Sequence, residues 1–229
     1  MTMKRTITAY IILLTSSLLM PLHAQREAPL ADTTAVAAPL YGGLSVSADV
    51  FGVIGSFVLN DYLSAEVALN ADFKNLFFPV VELGFGTMDL TDDTYFIHYK
   101  SAAPYARIGL DYNLMAKKQT ANFLFAGVRY GFSSFKYDVS APDLHDEVWG
   151  GTLPFRYSDI RSSAHWLEML LGIKVKIVKN FFMGWTARFK FRFSAKETLN
   201  TTPWYIPGYG DNKSSNFGFT YNFIYKLPF

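Results

Sequence analysis

At 229 residues the chain is long enough for one β-barrel or one globular domain and too short for two large domains. Half of its residues are hydrophobic, 17% are aromatic and only 17% are charged, which predicts that something other than water contacts much of the surface. The net charge of +2 comes to about zero without the two cations of the N-terminus, which argues against a nucleic-acid surface, and the absence of Cys excludes a lipid-attachment Cys, disulfides and thiolate metal sites.

Residues 1–24 have the pattern of an export signal peptide. Two cations precede the apolar stretch ITAYIILLTSSLLM, and PLHAQ offers a cleavage site after Ala24. Leu22 stands where a small residue is usual, so the pattern fixes the cleaved bond only to within a few residues. The apolar stretch is shorter than the roughly 20 residues of a membrane-spanning helix, so we expect removal and not anchoring. Residues 25–40 show no helical or strand periodicity of apolar residues, which predicts a flexible leader.

From Tyr41 onward, apolar and polar residues alternate with the period of a β-strand that has two different faces. In NFFMGWTARFKFRFSA, large aromatic residues occupy one parity, and Arg188, Lys190 and Arg192 occupy the other. The same alternation predicts eight strands, near 42–54, 62–71, 78–87, 102–114, 121–137, 164–178, 180–195 and 216–229.

The predicted connections alternate in length. Short links are predicted near 72–77, 115–120 and 179–180, and longer ones near 55–61, 88–101, 138–163 and 196–213. Outer-membrane barrels show this arrangement, with tight turns on one side and longer loops on the other. An open sheet edge would leave unpaired backbone groups in lipid. We therefore expect an all-β fold, an eight-stranded antiparallel up-and-down transmembrane β-barrel over residues 41–229.

The charged parity predicts a network inside the barrel. A soluble periplasmic lipocalin-like binder would use the same alternation with the two faces exchanged. The membrane orientation is favoured because the aromatic set is too large for a narrow eight-stranded interior, and because the opposite parity mixes small residues with ions of both signs that can pair. In a membrane, a lipid-facing cation at mid-depth would cost about 2–4 kcal/mol, which assigns the cations to the lumen. The predicted lumen charges are Asp49, Glu66, Glu82, Arg107, Asp111, Arg129, Glu168, Lys174, Lys176, Arg188, Lys190, Arg192 and Lys226.

The chain ends with FGFTYNFIYKLPF, alternating aromatics that finish at Phe229. This stretch resembles the C-terminal strand of outer-membrane barrels, which serves that class as the signal for the barrel-assembly machinery. Pro228 departs from the pattern, because Pro removes a hydrogen-bond donor. From about residue 41 the chain resembles small eight-stranded barrels of the OmpA/OmpX type. The resemblance implies a multi-pass protein of the bacterial outer membrane, in contact with its lipid and with lipopolysaccharide.

Four further stretches, FFPVVELGFG, GLDYNLM, GVRYGFSSFKYD and WYIPGYG, are similar to an uncharacterised outer-membrane barrel family of Bacteroidota. That family carries only a domain-of-unknown-function label. The resemblance therefore supplies no activity, substrate or site residues.

The sequence predicts no catalytic, cofactor or metal site. Eight strands leave no open pore. An outer-leaflet enzyme that modifies lipid A, a hydrolase or acyltransferase, is the alternative function, because nucleophilic catalysis needs a hydroxyl, a base and an orienting acid. The residue types for it are present without a recognisable motif, in His98, His145, His165, Ser162, Ser163, Asp159 and Glu168.

Aromatic residues in the predicted outer loops are candidates for binding a sugar, a peptide or a partner by stacking. Their other role would be to pack the loops over the barrel mouth. The candidates are Trp149, Trp204, Tyr205 and Tyr209. We expect a monomer with a structural or surface-binding role through its extracellular loops.

Overall fold

The computed structural model describes residues 39–50, 52, 62–116, 120–145, 150–153, 155–196 and 201–228. Residues Ala38–Phe229 form one compact unit, in which the strands make a closed antiparallel barrel. The predicted signal peptide 1–24 and most of the leader 25–40 lie outside the described residues, so both stay predictions. The barrel strands are β1 (Tyr41–Asp49), β2 (Tyr62–Phe73), β3 (Phe77–Asp92), β4 (Ile97–Asn113), β5 (Phe123–Ser140), β6 (Arg156–Val178), β7 (Phe181–Ala195) and β8 (Ser215–Lys226).

Pairing between the first and last strands closes the barrel. Each strand pairs with its neighbour in the chain, and β1 pairs with β8 from Ser45–Lys226 to Asp49–Asn222. Closure leaves no sheet edge whose backbone N–H and C=O groups lack partners. The predicted fold class, an eight-stranded antiparallel up-and-down barrel, is confirmed.

Tight turns join strands at one end of the barrel, which we call the inner end. They occupy residues 74–76 and 179–180, and Lys74, Asn75 and Lys179 have positive φ there. Asn75 donates its backbone N–H to Asp72 Oδ1 at 2.8 Å, which stabilises the first of these turns. We call the opposite end the outer end.

At the outer end, the strands run further than the sequence predicted. The predicted long connection near 88–101 is wrong, because β3 and β4 pair as far as Asp92–Ile97 and leave a four-residue turn at 93–96. Asp92 Oδ1 accepts the backbone N–H groups of Thr94 at 2.7 Å and Tyr95 at 3.1 Å, so a local side chain closes the turn. In the same way β6 begins at Arg156, before its predicted start at 164.

The apolar parity of every strand faces outward. Leu83 and Ile108, in the middle of β3 and β4, are each 61% exposed, and Phe217 on β8 is 64% exposed. The opposite parity is buried, as at Glu82 and Arg107. The observed polarity is therefore that of a membrane barrel, and the lipocalin-like orientation is wrong for these strands.

Glycines on the inward parity make room for large side chains of the adjacent strand. A Cβ atom on Gly131 would lie 2.1 Å from Cε2 of Trp166, and one on Gly84 would lie 2.2 Å from Cζ of Tyr105. Contacts this short require the ring to move. A narrow interior thus holds its large side chains because the facing positions have none.

Replacing Gly131 by Ala is expected to lower the free energy of unfolding by about 1–3 kcal/mol, since the added methyl overpacks the site against Trp166. Urea titration of the barrel folded in lipid vesicles measures this. Gly218→Ala is the matched control, because its Cβ would lie 3.3 Å from Cε of the flexible Lys190 side chain. Equal losses in the two variants would contradict the packing role of Gly131.

Candidate functional site

Eight charged side chains from β2 to β7 meet in the barrel interior, and we call this set the lumen network. Its carboxylates and cations are equal in number, so the interior is close to neutral. Each guanidinium and carboxylate of the set contacts an opposite charge within 3.2 Å. The members are Glu66, Glu82, Asp111, Glu168, Arg107, Arg129, Arg188 and Lys190.

Glu82 lies at the centre of the network. Its side chain is 3% exposed, and its two oxygens accept hydrogen bonds from three guanidinium groups on three strands. The donors are Arg107 Nη1 at 3.0 Å, Arg129 Nε at 3.0 Å and Arg188 Nη1 at 2.8 Å. A buried carboxylate is tolerable only with such partners.

Arg188 bridges three carboxylates. Besides Glu82, it donates through Nη2 to Glu66 Oε1 at 3.1 Å and through Nη1 to Glu168 Oε2 at 3.1 Å. Arg107 also contacts Glu66, and its Nε lies 2.8 Å from Glu168 Oε1. This contact is an ion pair but not a hydrogen bond, because the N–H group does not point at the oxygen. Arg107 on β4 and Arg188 on β7 thus share Glu66, Glu82 and Glu168, although two strands lie between them in the barrel.

Aromatic side chains donate further hydrogen bonds to two carboxylates of the network. Tyr105 Oη donates to Glu66 Oε2 at 2.9 Å, and Trp166 Nε1 donates to Glu168 Oε1 at 2.7 Å. On the inner side, Arg129 holds Asp111 through two parallel hydrogen bonds of 2.7 and 2.9 Å. Such a fork fixes the guanidinium plane as well as its charge.

Five of the thirteen predicted lumen charges do not join the network. Asp49 faces inward on β1 and accepts the backbone N–H of Gly52 at 3.2 Å. Lys226 pairs with Asp72 at 3.4 Å, near the inner end. The others are Lys174, which is half-buried, Lys176, which is exposed, and Arg192, which is half-buried.

The segment Pro203–Tyr209, which we call the plug, folds from the β7–β8 connection into the outer mouth of the barrel. Tyr205, Ile206 and Tyr209 are at most 2% exposed. The carbonyl oxygen of Gly208 accepts hydrogen bonds from Arg107 Nη2 at 2.7 Å and from Lys190 Nζ at 2.8 Å. The plug backbone therefore supplies partners for two cations of the lumen network.

Gly208 is required where the plug meets the wall. Its φ of +81° is unfavourable for a residue with a side chain, and a Cβ would lie 2.5 Å from Cγ of Tyr105. Ring contacts hold the rest of the plug: Trp204 stacks on Tyr99 at 5.4 Å between centroids, and Tyr209 lies 5.8 Å from Trp166. Burial raises the pKa of the Tyr209 phenol.

Two of the predicted loop-binding aromatics are buried in the plug. Tyr205 and Tyr209 face the barrel wall, so the prediction that they contact an external ligand does not fit this structure, and their role is the alternative one of packing over the mouth. Trp204 is half-buried in its stack. Trp149 and the terminal Phe229 lie outside the residues that the structure describes.

The candidate catalytic residues are not brought together. His165 faces outward on β6, with Nδ1 2.6 Å from Tyr130 Oη, whereas Glu168 faces the lumen. Ser162 is also inward and donates to the carbonyl oxygen of Lys196 at 2.7 Å. Strand alternation therefore separates His165 from Glu168. Asp159, the other candidate acid, lies six residues before His165 on β6 and pairs with Lys136 at 2.8 Å. The side chain of His145 is outside the described part of the chain.

His98 belongs to a polar group at the outer end of the β3–β4 hairpin. Asp89 lies 2.8 Å from His98 Nε2 and 3.1 Å from Lys100 Nζ. These hydrogen bonds, first from His98 and then from Lys100, hold the pKa of Asp89 below its ordinary value. The outward face is thus polar here, beyond the apolar residues that end at Phe85.

The described residues were compared with two simple requirements, those of a membrane-spanning helix and of a metal site, and meet neither. None of their helices is long and apolar enough to cross a membrane. They contain no group of three or more His, Asp or Glu that could hold a metal ion.

Residues 3–229 match the family described as "Domain of unknown function (DUF6048)". The chain belongs to this family. The crystal structure of Neisserial surface protein A (NspA) is similar, with a TM-score of 0.43 and 11% sequence identity over 82% of this chain and 99% of that chain. The comparison with curated proteins found no match. The match confirms the prediction that the chain belongs to a family with only a domain-of-unknown-function label. The Bacteroidota source stays a prediction.

Cysteine labelling tests the plug of this DUF6048 barrel, because the chain has no native Cys. A Tyr209→Cys variant is expected to react with a water-soluble maleimide at least about tenfold more slowly than Lys213→Cys, since local opening must precede reaction of a buried site. Lys213 lies four residues further on and its side chain is 69% exposed. Equal rates in the folded protein would show that the plug does not fill the mouth.

Proposed function

We propose that the chain is a monomeric outer-membrane β-barrel protein with a structural or surface-binding role through its extracellular loops. The observation that carries the proposal is the polarity of the closed barrel. Leu83 and Ile108 are exposed at mid-height, while Glu82 and Arg107 between them in the sheet are buried in an ionic interior. Only a nonpolar surrounding favours that distribution over its inverse.

Aromatic pairs at the inner end support a membrane boundary there. Phe77 contacts Tyr112 at 5.5 Å between ring centroids, and Phe181 contacts Tyr225 at 4.8 Å. Outer-membrane barrels carry such girdles at both interfaces. From Phe77 to Phe85 the outward residues of β3 span about 26 Å along the strand, or about 20 Å after tilt, close to the height of an outer-membrane apolar band.

The sealed lumen argues for activity at the surface and against transport. The lumen network fills the middle of the barrel, and the plug fills its outer mouth. The turn at 93–96 projects the aromatic residues Tyr95, 70% exposed, and Phe96, 65% exposed, at the outer end. Exposed aromatic rings are suited to contact with sugars or proteins. In this proposal lipid and lipopolysaccharide surround the barrel, and the barrel-assembly machinery inserts it.

Membrane fractionation tests the proposal. The protein is expected in the outer-membrane fraction, and its folded form is expected to migrate differently on gels before and after boiling. Protein that remains soluble without detergent would overturn the proposal.

Orientation is tested by labelling intact cells with a maleimide that does not cross the outer membrane. Tyr95→Cys, at the outer turn, is expected to react, and Lys179→Cys, at an inner turn, is expected to react only after the membrane is permeabilised. The reverse pattern would place the loops on the periplasmic side and contradict a surface role.

A further inference from the structure

At the inner end the barrel opens into a cavity of 390 Å³, which we call the inner vestibule. It lies below the lumen network and shares Phe78, Phe123 and Lys174 with a smaller cavity of 60 Å³ beneath that network. Its charged lining residues are Lys174, Lys176, Lys179, Lys226 and Asp72.

Among the residues that the structure describes, the charges of this lining do not balance. Lys226 pairs with Asp72, with 3.4 Å between Nζ and Oδ2. The other three lysines of the lining have no carboxylate within 4 Å among the described residues. The neutral lumen network above contrasts with this cationic cavity. Low-dielectric walls focus such a field and raise the local concentration of anions.

Lys174 differs from the cations of the lumen network in the partners of its charged group. Its ammonium group faces three aromatic rings, 5.8 Å from the centroid of Phe78, 5.7 Å from Phe123 and 4.9 Å from Phe182. Ring faces attract an ammonium ion but do not neutralise it. The guanidinium groups of the lumen network all have carboxylates, and Lys190 has two carbonyl oxygens of the plug. Among the described residues the Lys174 ammonium has no hydrogen-bonded carboxylate or carbonyl partner, so it is available to an anion that enters the vestibule.

We propose that the inner vestibule binds a phosphate-bearing anion, with the Lys174 ammonium at its floor and Lys176 and Lys179 at its rim. A phosphate group offers several charged acceptor oxygens to separate ammonium donors, which matches three lysines around one cavity. Two sources share this chemistry, a soluble phosphate compound and the headgroup of an anionic phospholipid. The inference depends on the barrel and its cavity and does not depend on the surface-binding role.

Titration calorimetry of the full exported chain, folded in a neutral detergent, tests this site with pyrophosphate as the probe. Lys174→Met is expected to weaken binding by about tenfold or more, because it removes a charged hydrogen bond at the floor. Lys100→Met is the matched control, since Lys100 is exposed at the outer end beside Asp89. We expect the control to bind as the unchanged protein does. Absence of binding by the unchanged protein, or equal affinity in all three proteins, would overturn the proposal.

A second variant guards against misfolding of Lys174→Met. Lys179→Gln changes an exposed residue of the inner turn and is expected to weaken binding severalfold. The mobility of the unboiled sample on a gel shows whether this variant is folded. Unaltered affinity in this folded variant would refute the site, even if Lys174→Met fails to fold.

Nanodiscs separate the two sources of phosphate. If phosphatidylglycerol in the disc competes with pyrophosphate, the headgroup of an anionic lipid occupies the site. If discs with and without this lipid give the same affinity, the ligand is a soluble phosphate compound. Both results support a phosphate site, whereas loss of binding in every disc would contradict it.

Discussion

Replacing Arg188 by Met is expected to lower the free energy of unfolding by about 3–5 kcal/mol. The side chain of Arg188 is 3% exposed and contacts Glu66, Glu82 and Glu168. Met fills much of the volume but provides no donor, so these carboxylates keep fewer partners in an interior that water cannot easily reach. Urea-induced unfolding in lipid vesicles, followed by tryptophan fluorescence, gives the difference.

The control for this variant is Lys100→Met. Lys100 pairs with Asp89 at 3.1 Å, but both side chains are more than half exposed, so the pair contributes less than about 1 kcal/mol. A loss at Arg188 as small as the loss at Lys100 would mean that water enters the barrel and screens the lumen network.

Replacing Ile108 by Arg is expected to lower the free energy of unfolding by about 2–4 kcal/mol in lipid vesicles. Ile108 lies outward in the middle of β4, opposite Val81 and Tyr130 on the neighbouring strands. An arginine here must place its charge in hydrocarbon or extend toward the interface, and both cost free energy. The same unfolding titration measures the effect.

Thr91→Arg is the matched control for Ile108→Arg. Thr91 is an exposed residue of β3 near the outer turn, beyond the apolar residues. A charge placed there is expected to change the free energy of unfolding by less than about 0.5 kcal/mol. If Ile108→Arg were equally harmless, the surroundings of the outward face would be water.

The lumen network also has a consequence for strand register. Residues 187 to 190 of β7 alternate between an outward Ala or Phe and an inward Arg or Lys. A slip of one residue would turn Arg188 and Lys190 to the outward, apolar face and Phe189 toward the ionic interior. In the proposed membrane setting each outward cation would cost about 2–4 kcal/mol, so the charges specify one register even where buried ion pairs add little net stability.

The faces of the strands were predictable from the sequence, because parity is a local property of the chain. The alternation of β7 separates the Phe189 parity from the Arg188 parity, and the structure has the same separation. Closure follows from the same reasoning, since lipid does not tolerate an open edge. Parity also assigned the eight members of the lumen network to the inward face, but it included Lys176, which is exposed, and it could not give the pairing across strands, which depends on register and rotamers.

The plug was not predictable from parity. Tyr205 and Tyr209 lie in a stretch with Pro and Gly that indicates turns but gives no direction into the barrel or away from it. Their burial depends on long-range contacts with Tyr99 and Trp166, which no local pattern contains. The extension of β3 past residue 87 is not predictable from parity either. There β3 and β4 continue to form backbone pairs as far as Asp92–Ile97, but the outward side chains of β3 are polar and no longer alternate with polar inward ones.

A nitroxide scan along β7 tests the polarity of the barrel most directly. Single cysteines at positions 183 to 187 and at 189 carry the label in lipid vesicles, and collisions with oxygen and with a water-soluble nickel chelate are measured at each position. Labels at Met183, Trp185, Ala187 and Phe189 are expected to collide with oxygen dissolved in the lipid, and those at Gly184 and Thr186 with neither reagent. Two results would contradict the inverted arrangement of apolar and charged faces. One is collision of the labels at the odd positions with the nickel chelate, and the other is collision of the labels at Gly184 and Thr186 with oxygen dissolved in the lipid.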